Sequence, residues 1–227
     1  TESPADVRFE RQTDELDAEF DVPIHCGTIV SHDTRHAVVN YAAHHDADML
    51  LMEAPAGSST LRERLFGRDV DWILDHAPCE VGLLDDRGLD EIRTVELLTG
   101  EGPYDPTKVA VADALATESD GVVLLNHGGD VDPSTARSRR LGRYKSDIAR
   151  VCSAPVEAGS LFTDGGRPAT SDHGDILVVA VGDRGIGARG RGEAAVVDRW
   201  PHSVLAIRGR DATRRSSLAR ALDRWSF

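Results

Sequence analysis

Lysine is almost missing from this chain: among 26 Lys and Arg residues in 227, only Lys108 and Lys145 are lysine. Cysteine stops at three, aromatics make up 5%, and no apolar run approaches the roughly 20 residues needed to span a bilayer as a helix. The three cysteines, Cys26, Cys79 and Cys152, form no C-x-x-C pair, which excludes a disulfide framework and a cysteine-rich zinc site. All three sit beside apolar runs and read as packed thiols. No basic-then-apolar stretch opens the sequence, so no signal peptide is predicted. With 39 acidic residues the net charge is −13, which repels DNA and anionic headgroups and excludes nucleic acid as a partner.

What is present is 40% hydrophobic residues in short runs bounded by glycine, enough for one or two compact soluble domains. The Asp-rich, Arg-for-Lys balance resembles that of proteins from halophiles that keep concentrated salt inside. The chain also carries a long internal repeat. Pro23 to Ser31 aligns with Pro155 to Thr163, and Asp48 to Met52 with Asp175 to Val179. Gly67, Arg68, Ile73, Leu74, Asp75, Pro78 and Val81 match Gly190, Arg191, Val196, Val197, Asp198, Pro201 and Val204 without a gap. A repeat of this length is a domain-sized duplication and not a solenoid.

The second copy reads as a whole α/β unit. Strands are expected at 94–99, 121–126, after Pro155, after Asp175 and at 203–207, with helices from Pro106 to about Thr117, over 134–151 and near 193–199. Short Val/Ile/Leu strands alternating with helices imply a parallel sheet with helices on both faces. The first copy holds only the back half of that plan: helices over 4–19, 34–46 and 69–76, and strands over 23–30, 48–53 and 79–84. The expected organisation is a partial repeat at 1–88, a complete one at 89–210, and an Arg-rich amphipathic helix at 211–227. The charged link from Asp85 to Glu91 is too short for a free linker, so the units should touch. The half sheet should expose an edge that another segment or subunit covers, and the chain reads as a fragment of a longer protein.

These blocks resemble the universal stress protein family, of the adenine-nucleotide α-hydrolase-like superfamily. The marks are Asp46 to Met52 ahead of a Gly-containing loop, then Gly67 and a helix leading to His76, Ala77, Pro78, Cys79, Glu80 and Val81. The resemblance implies a five-strand parallel sheet per unit, homodimers, a non-enzymatic regulatory role and, in some members, bound ATP. Val95 to Thr99, Gly100 and the Gly102-Pro103 turn further resemble the stress-protein-like cytoplasmic tails of haloarchaeal amino acid permeases and cationic amino acid transporters. That narrower resemblance implies a transporter domain upstream in the same protein and a location at the inner face of the membrane.

In family members that bind ATP, a G-x2-G-x9-G-S/T loop aims backbone N–H groups at phosphate. The first copy breaks it with Glu53, Ala56 and Arg68. The second keeps Gly182, Gly185 and Gly190, shortens the last spacing, puts Arg191 in place of the hydroxyl residue, and has Thr99 where the adenine-contacting Asp would stand. Thr99, Gly100, His127, Gly182, Gly185, Gly190 and Arg191 are therefore the candidate site, an anion cradle for ATP or AMP or else a shortened solvent loop. Rival patterns are weaker. Gly185, Gly187 and Gly190 spell G-x-G-x-x-G, but too little chain follows to build a dinucleotide fold. His32, His36, His44 and His45 crowd one helix at positions unsuited to a single metal site and read as a solvated face, and no nucleophile elbow occurs. An enzyme using a nucleotide, or a metal at these histidines, is the alternative class.

Overall fold

The computed structural model describes residues 29–53, 68–99, 106–127, 136–159, 162–163, 167–168, 174–182, 185–186, 197 and 200–209. The elements in chain order are α1 (Thr34–His44), β1 (Met49–Glu53), α2 (Arg68–His76), β2 (Glu80–Asp85), β3 (Thr94–Thr99), α3 (Pro106–Glu118), β4 (Val122–His127), α4 (Ala136–Val151) and β5 (Val156–Ala158). After them come β6 (Phe162–Thr163), β7 (Arg167–Pro168), β8 (Ile176–Gly182), β9 (Gly185–Ile186) and β10 (Ser203–Arg208). Each expected element within the described residues is there, with ends moved by one or two residues. The expected helices at 4–19 and 211–227 lie outside the described residues. So does the strand at 23–30, except for Ile29 and Val30, which are not in a strand. Of the helix near 193–199 only Val197 is described, and it is helical.

Local chemistry accounts for the helix starts. Asp33 caps α1, its Oδ1 accepting from the His36 N–H at 3.2 Å. Pro106 opens α3, where its fixed φ suits the first turn and its missing N–H costs nothing. At the far end Asp120 takes a left-handed φ of 51°, and the Gly121 N–H reaches back to the Ala116 carbonyl at 2.8 Å, closing the helix.

The main sheet runs β1-β2-β10-β8-β3-β4-β5, with β9 folded back on β8. Its pairings are parallel except for β10 against β2 and the short β9 against β8. Strand alternation sorts apolar residues onto two faces. In β8, Leu177, Val179 and Val181 point to one core, with Ile73 and Leu74 of α2 and with Trp200. Ile176 and Val178 point to the other, with Val109, Ala112 and Ala116 of α3 and Ile148 of α4. The sheet is thus covered on both faces, as buried parallel strands require.

The antiparallel seam joins the two repeat copies. The repeat equates Val81 with Val204 and, continued without a gap, Leu83 with Ala206 and Asp85 with Arg208. In the seam Val81 pairs with Arg208, Leu83 with Ala206 and Asp85 with Val204, so the register is two-fold symmetric about Leu83 and Ala206. The link after β2 is bonded into the second copy. Arg87 binds Asp85 through Nε at 2.8 Å and Nη2 at 2.7 Å, donates from Nη1 to the Trp200 carbonyl, and its backbone N–H meets Ser203 Oγ at 2.9 Å. Asp86 Oδ1 accepts from the Gly88 and Leu89 N–H groups and from Ser203 Oγ. The expected contact between the copies is therefore a shared sheet and a hydrogen-bonded connection.

Candidate functional site

In an open α/β sheet, ligands sit outside the carboxyl ends of the strands where the strand order reverses. Here β3 is flanked by β4, which follows it in the chain, and by β8, which comes much later, so the reversal falls between β3 and β8. The register agrees. Pairing of β3 with β4 continues to Thr99 opposite His127, whereas pairing of β3 with β8 stops at Leu97 opposite Val178, so the switch point falls beside Thr99.

Of the candidate residues, Thr99 ends β3, His127 ends β4 and Gly182 ends β8, so the fold brings these three to one end of the sheet. Thr99 is fully buried and its hydroxyl donates to the Asn126 carbonyl at 2.6 Å. Gly182 pairs with Gly185 where β9 runs antiparallel to β8, within the stretch that the sequence offered as an anion cradle or a shortened solvent loop. Gly100, Gly190 and Arg191 lie outside the described residues.

Two polar side chains here escaped the sequence reading. Lys108, in the first turn of α3, is 4% exposed and its Nζ donates to the Leu98 carbonyl at 2.6 Å. Its ammonium thus lies near the start of α3 and close to the end of β3. The signal available was the scarcity of lysine itself. Glu80 reaches across from β2 of the first copy to accept a hydrogen bond from Thr107 Oγ1 at the start of α3, so the first copy contributes to the rim.

Behind the switch point lies a buried acid. Glu96 of β3 is 2% exposed; its Oε1 accepts from the Gly174 N–H at 3.2 Å and its Oε2 from the Asn126 amide. Burial outweighs these donors and pushes its carboxyl above the usual range. Asn126 also donates to the Leu124 carbonyl at 3.1 Å. Through its main-chain carbonyl Asn126 meets Thr99, and through its side-chain amide it meets Glu96, whose carboxyl reaches the segment that enters β8.

The other sequence candidates fall elsewhere. His36 packs at 4.3 Å on Trp72, which stacks at 4.1 Å on His76, with Arg35 above the indole, so these rings tie α1 to α2. His44 and His45 lie beyond them, and no group of three or more metal-ligating side chains occurs among the described residues. Cys79 is buried, and burial together with Asp113 pushes the Cys152 thiol up to about 11, the opposite of a nucleophile's shift. An apolar recess lined by Ile92, Ala114, Leu115, Glu118 and Ser119 lies at the opposite end of the strands.

This sheet order with helices on both faces defines the fold class: the α/β fold of the universal stress proteins. A protein of Pseudomonas aeruginosa UCBPP-PA14 assigned to those proteins superposes with a TM-score of 0.63 at 12% identity, over 97% of this chain and 84% of that one. The cytoplasmic domain of a prokaryotic cation chloride cotransporter gives 0.61 at 9% identity, over 94% and 83%. A universal stress protein from Archaeoglobus fulgidus gives 0.50 at 14%, over 93% and 82%. No protein-family model and no curated protein matches the sequence. At these identities the likeness establishes the fold alone.

Proposed function

We propose that this chain is a non-enzymatic regulatory domain pair, the cytoplasmic tail of a membrane amino acid transporter, in which an anion at the β3–β8 switch point biases how the pair packs and assembles. The observation that carries the reading is the two-fold seam between β2 and β10: the duplication has kept an assembly surface while the phosphate-loop pattern has diverged. The likeness to a transporter's cytoplasmic domain supports the tail assignment. No helix among the described residues is long and apolar enough to cross a membrane, which fits a tail tethered by an upstream domain. The proposed ligand is a nucleotide phosphate, ATP or AMP, or another small anion, at the strand ends beside Thr99 and the Gly182–Gly185 pair, near the buried Lys108.

A stand-alone tandem stress protein is the second reading, favoured by the likeness to the Pseudomonas and Archaeoglobus proteins. The sequence ahead of Thr1 separates the two: ten or more apolar segments support the tail, and a single strand-helix-strand supports the stand-alone protein. For the ligand, isothermal titration with ATP, ADP, AMP and cyclic dinucleotides is expected to give one binder that Lys108→Ala weakens about tenfold or more, the scale of one lost charge-assisted hydrogen bond. Silence for all of them at millimolar ligand removes the nucleotide from the proposal, and turnover of any of them removes the non-enzymatic part.

A further inference from the structure

Strands β3 and β8 are joined by a short register, from Val95 opposite Ile176 to Leu97 opposite Val178, whereas β3 pairs with β4 along its whole length from Thr94 to Thr99. Bonds at the entry to β8 supplement that register. The Asp175 N–H donates to the Thr94 carbonyl at 3.0 Å, and Asp175 Oδ2 accepts from the Arg93 and Thr94 N–H groups at 2.7 and 2.9 Å. One more bond comes from within the sheet, where Glu96 Oε1 accepts from the Gly174 N–H at 3.2 Å. Gly174 fits closely there, since a Cβ on it would lie 2.7 Å from Glu96 Cγ and 2.9 Å from the Thr94 carbonyl oxygen.

Glu96 holds this place among apolar neighbours. Its register partners are Leu124 of β4 and Leu177 of β8, and Leu177 is fully buried. The charged groups on the surrounding elements are committed elsewhere. Asp175 is bound to the Arg93 and Thr94 N–H groups, Arg93 pairs with Glu91 in solvent, Glu157 stands exposed in β5 opposite Leu124, and Arg208 at the end of β10 pairs with Asp75 of α2. A carboxylate at Glu96 therefore has the Gly174 N–H and the Asn126 amide to offset the loss of water, and no cation. Protonation removes the charge while leaving oxygens able to accept from these donors.

We propose that Glu96 is a proton-controlled latch between β3 and the chain entering β8: protonated, it holds Gly174 against the sheet, and ionised, it opens that entry so that water reaches its charge. The opening is local. Both cores and the β2–β10 seam stay closed while the Gly174 and Asp175 amides are released. The latch needs no ligand at the strand ends, so it stands or falls apart from the nucleotide reading.

Amide hydrogen exchange in the 227-residue protein, followed from about pH 5 to about pH 8 and corrected for the base-catalysed rate of an open chain, tests the latch. Protection at Gly174 and Asp175 is expected to fall several-fold as pH rises, with little dependence on low urea, because a local opening exposes little surface. Glu96→Gln, which has no charge to gain, should hold that protection level across the range. Amides of β2 should instead show the steep urea dependence of whole-molecule unfolding. Level protection in the parent, an equal fall in Glu96→Gln, or exchange at Gly174 with the urea dependence of β2 would each overturn the proposal. Should Glu96→Gln fail to fold, the carboxyl carbon signal of Glu96 in the isotope-labelled parent decides. It should move over the same pH range as the Gly174 exchange, and ionisation without loss of protection overturns the latch.

Discussion

Glu96, Asn126 and Gly159 meet in the second copy, where Asn126 donates to Glu96 and lies against Gly159. A Cβ on Gly159 would fall 2.2 Å from Asn126 Oδ1, and its N–H donates to the Leu125 carbonyl at 2.9 Å, so only glycine fits against the amide. Gly159→Ala is expected to cost about 1–3 kcal/mol, read as a fall in urea midpoint at constant slope. An unchanged midpoint would mean that Asn126 can move away. Glu96 yields a pH test. Its folded pKa is raised by burial, so its stabilising contribution is complete below the ordinary glutamate range and is lost as pH rises through the folded value. Glu96→Gln should flatten that decline in urea titrations from about pH 4 to about pH 8. Parallel curves for the two proteins would refute a raised pKa. Neither Glu96 nor Asn126 stood out in the sequence, because a polar residue within an apolar strand run declares itself only when its partners, here the Gly174 N–H and a neighbouring strand, are in place.

Among the elements, the link and the seam separate what periodicity can predict from what it cannot. Helices α1 to α4 and the long strands were legible from apolar spacing and, at α3, from an opening Pro106. The small pair β6–β7 and the turn-back strand β9 were not, since two-residue strands leave no periodic signal. The direction of β2 against β10 was also beyond reach, because apolar alternation is the same for parallel and antiparallel neighbours. Arg87 is the residue that fastens this junction, holding the buried Asp85 and the Trp200 carbonyl at once. Arg87→Ala removes the ion pair to the buried Asp85 and the bond to the Trp200 carbonyl and should cost about 1–3 kcal/mol, measured by urea unfolding. A loss under about 0.5 kcal/mol would make the link a passive tether.

For the whole molecule, one sheet through both copies has a thermodynamic consequence. The seam commits the free edges of β2 and β10 to each other, and both faces of the sheet hold cores to which the two copies contribute. Unfolding should therefore be a single cooperative transition, with far-ultraviolet circular dichroism and tryptophan fluorescence giving the same midpoint, since Trp72 lies in one copy and Trp200 packs in the other. Two separated midpoints would show that the copies unfold independently. The seam also bears on assembly: any homodimer has to use a surface other than these two edges, because they are already paired within the chain.

The sequence by itself determined the repeat, the order of the main helices and strands and the α/β class, because these follow from local spacing and residue chemistry. It also named Thr99, His127 and Gly182, which the fold then set at one end of the sheet. Only the tertiary structure decided that the copies share one sheet through a two-fold antiparallel seam, that Lys108 is buried beside the end of β3, and that Leu51 and Asp48 are exposed. The physical reason is common to all three. Strand direction, burial of a charge and exposure of an apolar side chain depend on what lies across the sheet, and those neighbours come from parts of the chain far away in sequence.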